Sequence, residues 1–134
     1  MKIHQIDTVV VGSGCAALNA ADWLWHLGKR DMIMVTDGFM KGTSRNTGSD
    51  KQTYYKLSLC GQHPDSVYDM AKTLYAGGGV EGDIALAEAA GSVQCFMKLV
   101  NLGVPFPTNA LGEYVGYQTD HDATKRATSA GPLT

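Results

Sequence analysis

Two short apolar runs near the N-terminus enclose a longer amphipathic segment. The β-branched run Ile6–Val11 ends at Gly12, and a second apolar run covers Met32–Val35. Between them, over Gly14–Leu27, polar side chains recur every three or four positions, which is the period of a helix. Gly28 stands where a helix C-cap is expected. The pattern predicts a parallel βαβ unit with a buried first strand and a right-handed crossover.

The segment after this unit is richer in glycine and poorer in apolar periodicity. Residues 38–52 carry three glycines among polar side chains and predict a long loop, a feature that is usually functional or disordered in a compact domain. One helix is predicted over about 64–76, with Pro64 in its first turn and a glycine run at its end.

A second helix is predicted from Asp83, as its N-cap, to about Leu102. Two prolines then predict extended backbone over 103–107, because each proline excludes its predecessor from the helical region. The remainder, 108–134, predicts a turn, a short strand near Tyr114–Tyr117 and a polar tail.

Composition narrows the class of protein. With 134 residues, 44% apolar and 18% charged side chains and a net charge of −2, the chain fits one soluble domain and gives no reason to expect nucleic acid as a partner. It has no apolar stretch of membrane-spanning length and no signal-peptide pattern, so we expect a cytoplasmic protein. Cys15, Cys60 and Cys95 are odd in number and far apart, which argues against a disulfide framework and against a metal site.

The glycine pattern Gly12-x-Gly14-x-x-Ala17 lies between the first strand and the helix. Gly12 permits a tight turn, Gly14 lets a pyrophosphate approach the backbone, and Ala17 allows close packing of helix on strand. The N-terminus of the helix offers free N–H groups and a positive dipole to phosphates. This context predicts a dinucleotide-binding site.

The residue that binds the adenosine ribose is expected at the end of the second strand, where Thr36 and Asp37 are alternatives. Asp37 lies at about the expected spacing of ~20 residues from the glycine pattern. Thr36 offers an uncharged hydroxyl for the same hydrogen bond. No arginine follows at once to receive a 2′-phosphate, so NADP is disfavoured.

Four stretches resemble the FAD-binding N-terminal region of the succinate dehydrogenase/fumarate reductase flavoprotein family, which includes L-aspartate oxidase and soluble fumarate reductases. They are Asp7–Ala17, Thr43–Gly48, Leu99–Phe106 and Lys125–Thr128. The resemblance implies a Rossmann-like FAD-binding unit in the α/β class, and an incomplete one, because the members of the family are several times longer. On this basis the whole of 1–134 is the N-terminal portion of an FAD-binding domain.

The resemblance also implies a cofactor and a chemistry. FAD would accept hydride from a small carboxylate substrate or donate hydride to it. A redox partner or a remaining chain of the enzyme would complete the reaction. Members of the family that bind flavin covalently use a histidine in the second stretch. The matching position here is Asn46, so FAD is expected to be held non-covalently.

The candidate cofactor-binding residues combine the glycine turn, the end of the second strand and the following loop. They are Gly12, Ser13, Gly14, Cys15, Ala16, Ala17, Thr36, Asp37, Gly42, Thr43, Ser44, Arg45, Asn46 and Thr47. Cys15 is expected to be a small buried filler rather than a reactive thiol. The catalytic residues are left unassigned.

Two further groups of residues have weaker claims to chemistry. The acidic cluster Asp120-His121-Asp122 is more readily explained as a solvated loop than as an acid–base site. Arg126 is expected to be an ordinary surface or ion-pair arginine, and the alternative is that it orients a carboxylate by a bidentate contact.

Two other functions stay open. A non-catalytic module that binds FAD or NAD, or one piece of a split flavoenzyme, would have the same glycine pattern. A fragment of an NAD-dependent enzyme is less compatible with the long loop after Asp37.

Overall fold

The computed structural model describes residues 3–46, 53–62, 64–119 and 122–130. The chain is mixed α/β, with one parallel and one antiparallel sheet. It divides into two compact units, Met1–Ser49 and Asp50–Thr134.

The first unit contains the predicted βαβ arrangement. Strand β1 (Thr8–Val11) pairs in parallel with β2 (Met32–Val35), and helix α1 (Cys15–His26) connects them. Leu27 caps α1, and Gly28 follows with φ +92, a backbone conformation that favours glycine. The order and the type of these three elements follow the sequence prediction, and their bounds agree with it to within two residues.

The expected burial of the first strand is wrong. Thr8 and Val10 are half-buried, whereas Val9 and Val11 are exposed, and β2 alternates in the same way. Parallel pairing in register places alternate side chains of both strands on one face, and only one face is half-buried. An apolar run is compatible both with a strand that is covered on both faces and with a strand that is covered on only one face.

The predicted loop over 38–52 is also only partly correct. A single helical turn, α2 (Thr43–Asn46), lies within it, and strand β3 (Thr53–Tyr55) begins directly after it. Positions 47–52 lie outside the described residues. The sequence pattern did not predict this helical turn, because the turn buries no residue and therefore has no apolar periodicity.

The second unit contains the two predicted helices, with corrected starts. Helix α3 is Val67–Ala76, and its N-cap is Ser66, whose hydroxyl accepts from the Asp69 amide at 3.0 Å. Pro64 therefore precedes the cap and is not in the first turn. Helix α4 is Gly82–Asn101.

The predicted cap of α4 is wrong by two residues. Glu81 is the N-cap, and its carboxylate accepts from the amides of Asp83 (2.9 Å) and Ile84 (3.4 Å). Glutamate is not among the side chains that favour this position, which is why the sequence pointed to Asp83 instead.

The core of the second unit lies between these helices. Ala85 and Ala89 recur at helical spacing on α4 and pack with Met70 and Ala71 of α3. The ring of Phe96, fully buried, continues the stripe into an aromatic group with Tyr54, Phe106 and Tyr114. Small side chains at the crossing allow the two helices to approach closely.

The expected polar tail instead contains the longest strand among the described residues. β4 (Tyr117–Thr119) and β5 (Asp122–Ser129) are antiparallel, and β5 also pairs with β3, giving the order β3-β5-β4. The short strand expected near Tyr114–Tyr117 begins only at Tyr117. Ala127 and Thr128 of β5 are buried, so a segment of polar composition forms the centre of the sheet. Across the described residues, no helix combines the length and the apolar character that crossing a membrane requires.

Candidate functional site

The glycine turn of the first unit has the backbone that its sequence predicts. Gly12 has φ +111, and its amide donates to the Val35 carbonyl at 2.7 Å, which ties the turn to the end of β2. A Cβ on Gly12 would lie 3.6 Å from the Cβ of Ala17, so helix and strand pack closely at this point. Gly12 and Ala17 therefore have the backbone and the close packing that the sequence predicts.

The N-terminus of α1 opens directly from this turn. Its N-cap is Gly14, which has no side chain to accept from the first amides. The Cys15 amide instead donates to Ser44 Oγ at 3.0 Å, and Ala16 and Ala17 follow in the first turn. Cys15 is exposed, so its expected role as a buried filler is wrong. The first position of a helix at a surface turn has too few neighbours to bury even a small side chain.

Residues 38–46, here called the strap, return across the glycine turn. Ser13 Oγ lies 3.0 Å from the carbonyl oxygens of both Gly38 and Lys41, and it accepts from Thr36 Oγ1 at 3.0 Å. A Cβ on Gly42, where φ is +115, would lie 3.4 Å from the Gly14 nitrogen. Glycine is favoured at position 42 because of this positive φ.

Thr36 and Asp37 point in different directions. The Thr36 hydroxyl faces the turn, where it also accepts from the Gly38 amide at 3.3 Å. The Asp37 carboxylate is 87% exposed and pairs with Lys41 Nζ at 2.7 Å. Of the two alternatives for the ribose, Thr36 is the one that converges with the glycine turn.

The remaining candidate residues of the strap differ in their placement. Asn46 Nδ2 donates to the Gly42 carbonyl at 2.9 Å and so closes the single turn of α2. Thr43 and Arg45 are exposed on the same turn. Thr47 lies outside the described residues. The structure thus brings together Gly12 to Cys15, Thr36, Gly42 and Ser44, and places Asp37 and Arg45 at the exterior.

A second concentration of polar groups lies inside the second unit, around Arg126. Its side chain is 2% exposed and grips Asp65 through two parallel bonds, Nε to Oδ2 at 2.9 Å and Nη2 to Oδ1 at 2.7 Å. Nη1 donates to Asp122 (3.1 Å), Thr73 (2.9 Å) and Tyr55 (3.2 Å). The expectation of an ion-pair arginine is therefore confirmed, with Asp65 as a bidentate partner and Asp122 as a second one, whereas a position at the surface is wrong.

Asp65 is saturated with donors. Besides Arg126, the amides of Ser58 and Ser66 donate to it at 3.0 and 2.8 Å. Burial by itself would raise the pKa of Asp65, but the hydrogen bonds from Arg126 and from these two amides outweigh it and hold the pKa below its usual value. Asp65 is therefore ionised, and it links β5 to the loop that precedes α3.

Tyr55 and Asp122 complete this network. The Tyr55 hydroxyl donates to Asp122 Oδ2, while Asp122 Oδ1 accepts from the Thr124 amide at 2.8 Å. Burial, with the hydrogen bond to Asp122 second, raises the pKa of Tyr55 to about 12. Asp120 and His121, the other members of the acidic cluster, lie outside the described residues.

Lys56 is a buried cation that sequence reasoning missed. It is fully buried, with Nζ 3.4 Å from the Leu57 carbonyl and 4.7 Å from the centre of the Phe96 ring. Burial lowers the pKa of Lys56, although the nearby Asp65 partly opposes this. One signal was available: Lys56 lies two positions after Tyr54 in an extended segment, so the two side chains share the face that contacts Phe96.

Comparison with known proteins adds no relative. The chain matches no family model, and a search of characterised proteins found no significant match. The resemblance noted in the sequence therefore stays a hypothesis.

Proposed function

We propose that this chain binds the ADP and pyrophosphate portion of non-covalent FAD, as part of an oxidoreductase of the fumarate reductase/succinate dehydrogenase type. The observation that carries the proposal is the convergence at one turn: a positive-φ glycine between a parallel strand and a helix, an N-terminus with no side chain at its cap, and hydroxyls from two other segments. This is the arrangement that phosphates use in dinucleotide-binding units.

The residues of the turn fit such a ligand. Gly12 and Gly42 occupy backbone conformations that other residues rarely adopt, so the turn has little tolerance for side chains. The Thr36 hydroxyl, directed to the turn, would bind the adenosine ribose. Ala17 keeps the first turn of α1 close to β1, which holds the helix dipole in line with the phosphates.

The roles of the protein and of the cofactor are separate in this proposal. FAD, when bound, would supply hydride transfer to or from a carboxylate substrate. The residues of the first unit would bind and orient the nucleotide end, and Asn46, in place of a histidine, would leave the flavin without a covalent link. The proton-transfer residues are not assigned to this chain.

The proposal is tested by titration of the full chain with FAD and with ADP-ribose, followed by calorimetry and flavin absorbance. Gly14→Val fills the space where the pyrophosphate must approach, so it should weaken binding of both ligands at least tenfold. Gly79→Val is the matched control, because no atom lies within 4 Å of a Cβ at Gly79. Equal binding by the two variants would contradict the proposal.

A non-catalytic nucleotide-binding module is the second candidate. The observation that favours it is the network around Arg126, where Asp65, Asp122 and Tyr55 bond to the arginine and leave its side chain only 2% exposed to a substrate carboxylate. The two candidates separate in one assay, in which FAD-loaded protein is reduced and then exposed to fumarate. Reoxidation that depends on fumarate supports the oxidoreductase, whereas flavin binding without it supports the module.

A further inference from the structure

The strap contacts the glycine turn in two different ways. On one side, the half-buried Ser13 hydroxyl contacts the carbonyls of Gly38 and Lys41 and accepts from Thr36. On the other side, the Cys15 amide of α1 donates to Ser44 Oγ of the strap at 3.0 Å. We call the first contact the clasp and the second the latch.

The latch uses a group that a phosphate needs. The amide of Cys15 is the first N–H of α1, and the first amides of a helix are the donors that bind phosphate oxygens. A hydroxyl oxygen 3.0 Å from this nitrogen lies at the distance expected for a bound phosphate oxygen. One N–H donor makes only one well-aligned hydrogen bond, so Ser44 and a phosphate compete for it.

The two contacts also differ in how easily they break. Ser44 and Cys15 are both exposed, so their separation uncovers no core. The helical turn that carries Ser44 bonds to the Gly42 carbonyl through the Arg45 and Asn46 amides, at 3.3 and 3.2 Å, and through Asn46 Nδ2 at 2.9 Å. The clasp, in contrast, combines several contacts at a half-buried side chain.

We propose that Ser44 Oγ occupies the position of a phosphate oxygen at the Cys15 amide, and that nucleotide binding displaces Ser44 and so breaks the latch. This inference rests on the proposed nucleotide-binding function and adds a step to it. The Ser13 clasp keeps the start of the strap in place, and the backbone at Gly42, with φ +115, lies between clasp and latch as the pivot. Bound nucleotide would then hold the strap in a second position.

The latch itself is tested without any nucleotide, by hydrogen exchange of the Cys15 amide in the full chain. Ser44→Ala removes the acceptor, so the exchange of this amide should become about three- to tenfold faster, the factor that one ordinary hydrogen bond contributes. Lys41→Ala, which removes another exposed side chain of the strap, should leave it unchanged. Unchanged exchange in Ser44→Ala would overturn the latch and leave the proposed function untouched.

The competition is tested with inorganic pyrophosphate and ADP-ribose, two probes that lack the flavin ring. If Ser44 must leave the amide, Ser44→Ala should bind both probes about three- to tenfold more tightly than the native chain. Equal or weaker binding by Ser44→Ala would overturn the displacement, because Ser44 would then be neutral or a ligand of the phosphate. Failure of both proteins to bind ADP-ribose would contradict the nucleotide site itself, and the displacement with it.

Discussion

Arg126→Met tests the ion network most directly, because it removes a cation that is bonded to two buried carboxylates. The side chains of Asp65 and Asp122 are 3% and 6% exposed, so neither can recover its hydration by a small movement. Removing one partner of a buried ion pair typically costs about 3–5 kcal/mol, since the other charge is left uncompensated. That is a large share of the roughly 5–15 kcal/mol by which small domains are stable.

The aromatic residues allow this loss to be assigned to one unit. Both tryptophans, Trp23 and Trp25, lie in the first unit, and all six tyrosines lie in the second. Urea unfolding followed by tyrosine fluorescence should therefore shift to a lower midpoint in Arg126→Met, while the tryptophan signal reports on the first unit.

A matched control removes a cation from an exposed pair. Lys41 and Asp37 are 67% and 87% exposed, so Lys41→Met should cost less than about 1 kcal/mol. If the two variants lose similar stability, the network around Arg126 does not stabilise the fold and the reasoning fails. Adding Asp65→Asn and Asp122→Asn to Arg126→Met should recover part of the loss, because the unpaired charges are gone.

Three other predictions concern the second unit. In Gly116→Ala the new Cβ would overlap the Lys125 carbonyl oxygen, so the variant should lose several kcal/mol of stability or fail to fold, as measured by circular dichroism; near-native unfolding would show that β5 is free to move away. Because the folded pKa of Asp65 is lowered, its contribution to stability is present above the unfolded pKa of about 4 and is lost as the pH falls through the folded value. Asp65→Asn should therefore have a flatter acid-unfolding profile than the native chain, and an equally steep one would refute this. Because the pKa of Tyr55 is raised to about 12, its contribution is complete below about pH 10 and is lost between there and pH 12; one of the six tyrosines should titrate late in ultraviolet absorbance, and that step should be absent from Tyr55→Phe.

Local patterns predicted the first unit well. The order of β1, α1 and β2, the positive φ at Gly12 and the end of α1 near Gly28 all depend on interactions within a few residues of each position. The two longer helices were also predictable, since α4 presents buried side chains at helical spacing. Their starts were less predictable, because Glu81 acts as a cap through a contact that its residue type does not favour.

The second unit was decided by contacts that are distant in sequence. Arg126 and Asp65 are 61 positions apart, and nothing near either of them indicates the pairing. The polar composition of Asp122–Ser129 predicts exposure, yet this strand becomes central because β3 and β4 pair on its two sides and the carboxylates of Asp65 and Asp122 neutralise its arginine. The charge of an arginine does not by itself indicate whether a carboxylate will lie beside it in the folded protein.

In the glycine turn, too, some features were set by local sequence and others by contacts distant in sequence. The sequence by itself determined that a strand, a tight turn and a helix N-terminus follow one another, because steric limits on φ and helical periodicity act locally. Only the tertiary structure decided that Thr36 rather than Asp37 faces the turn and that Ser44 bonds to the Cys15 amide. The contacts of Thr36 and Ser44 depend on the path of the strap across the glycine turn, and local backbone preferences do not specify that path.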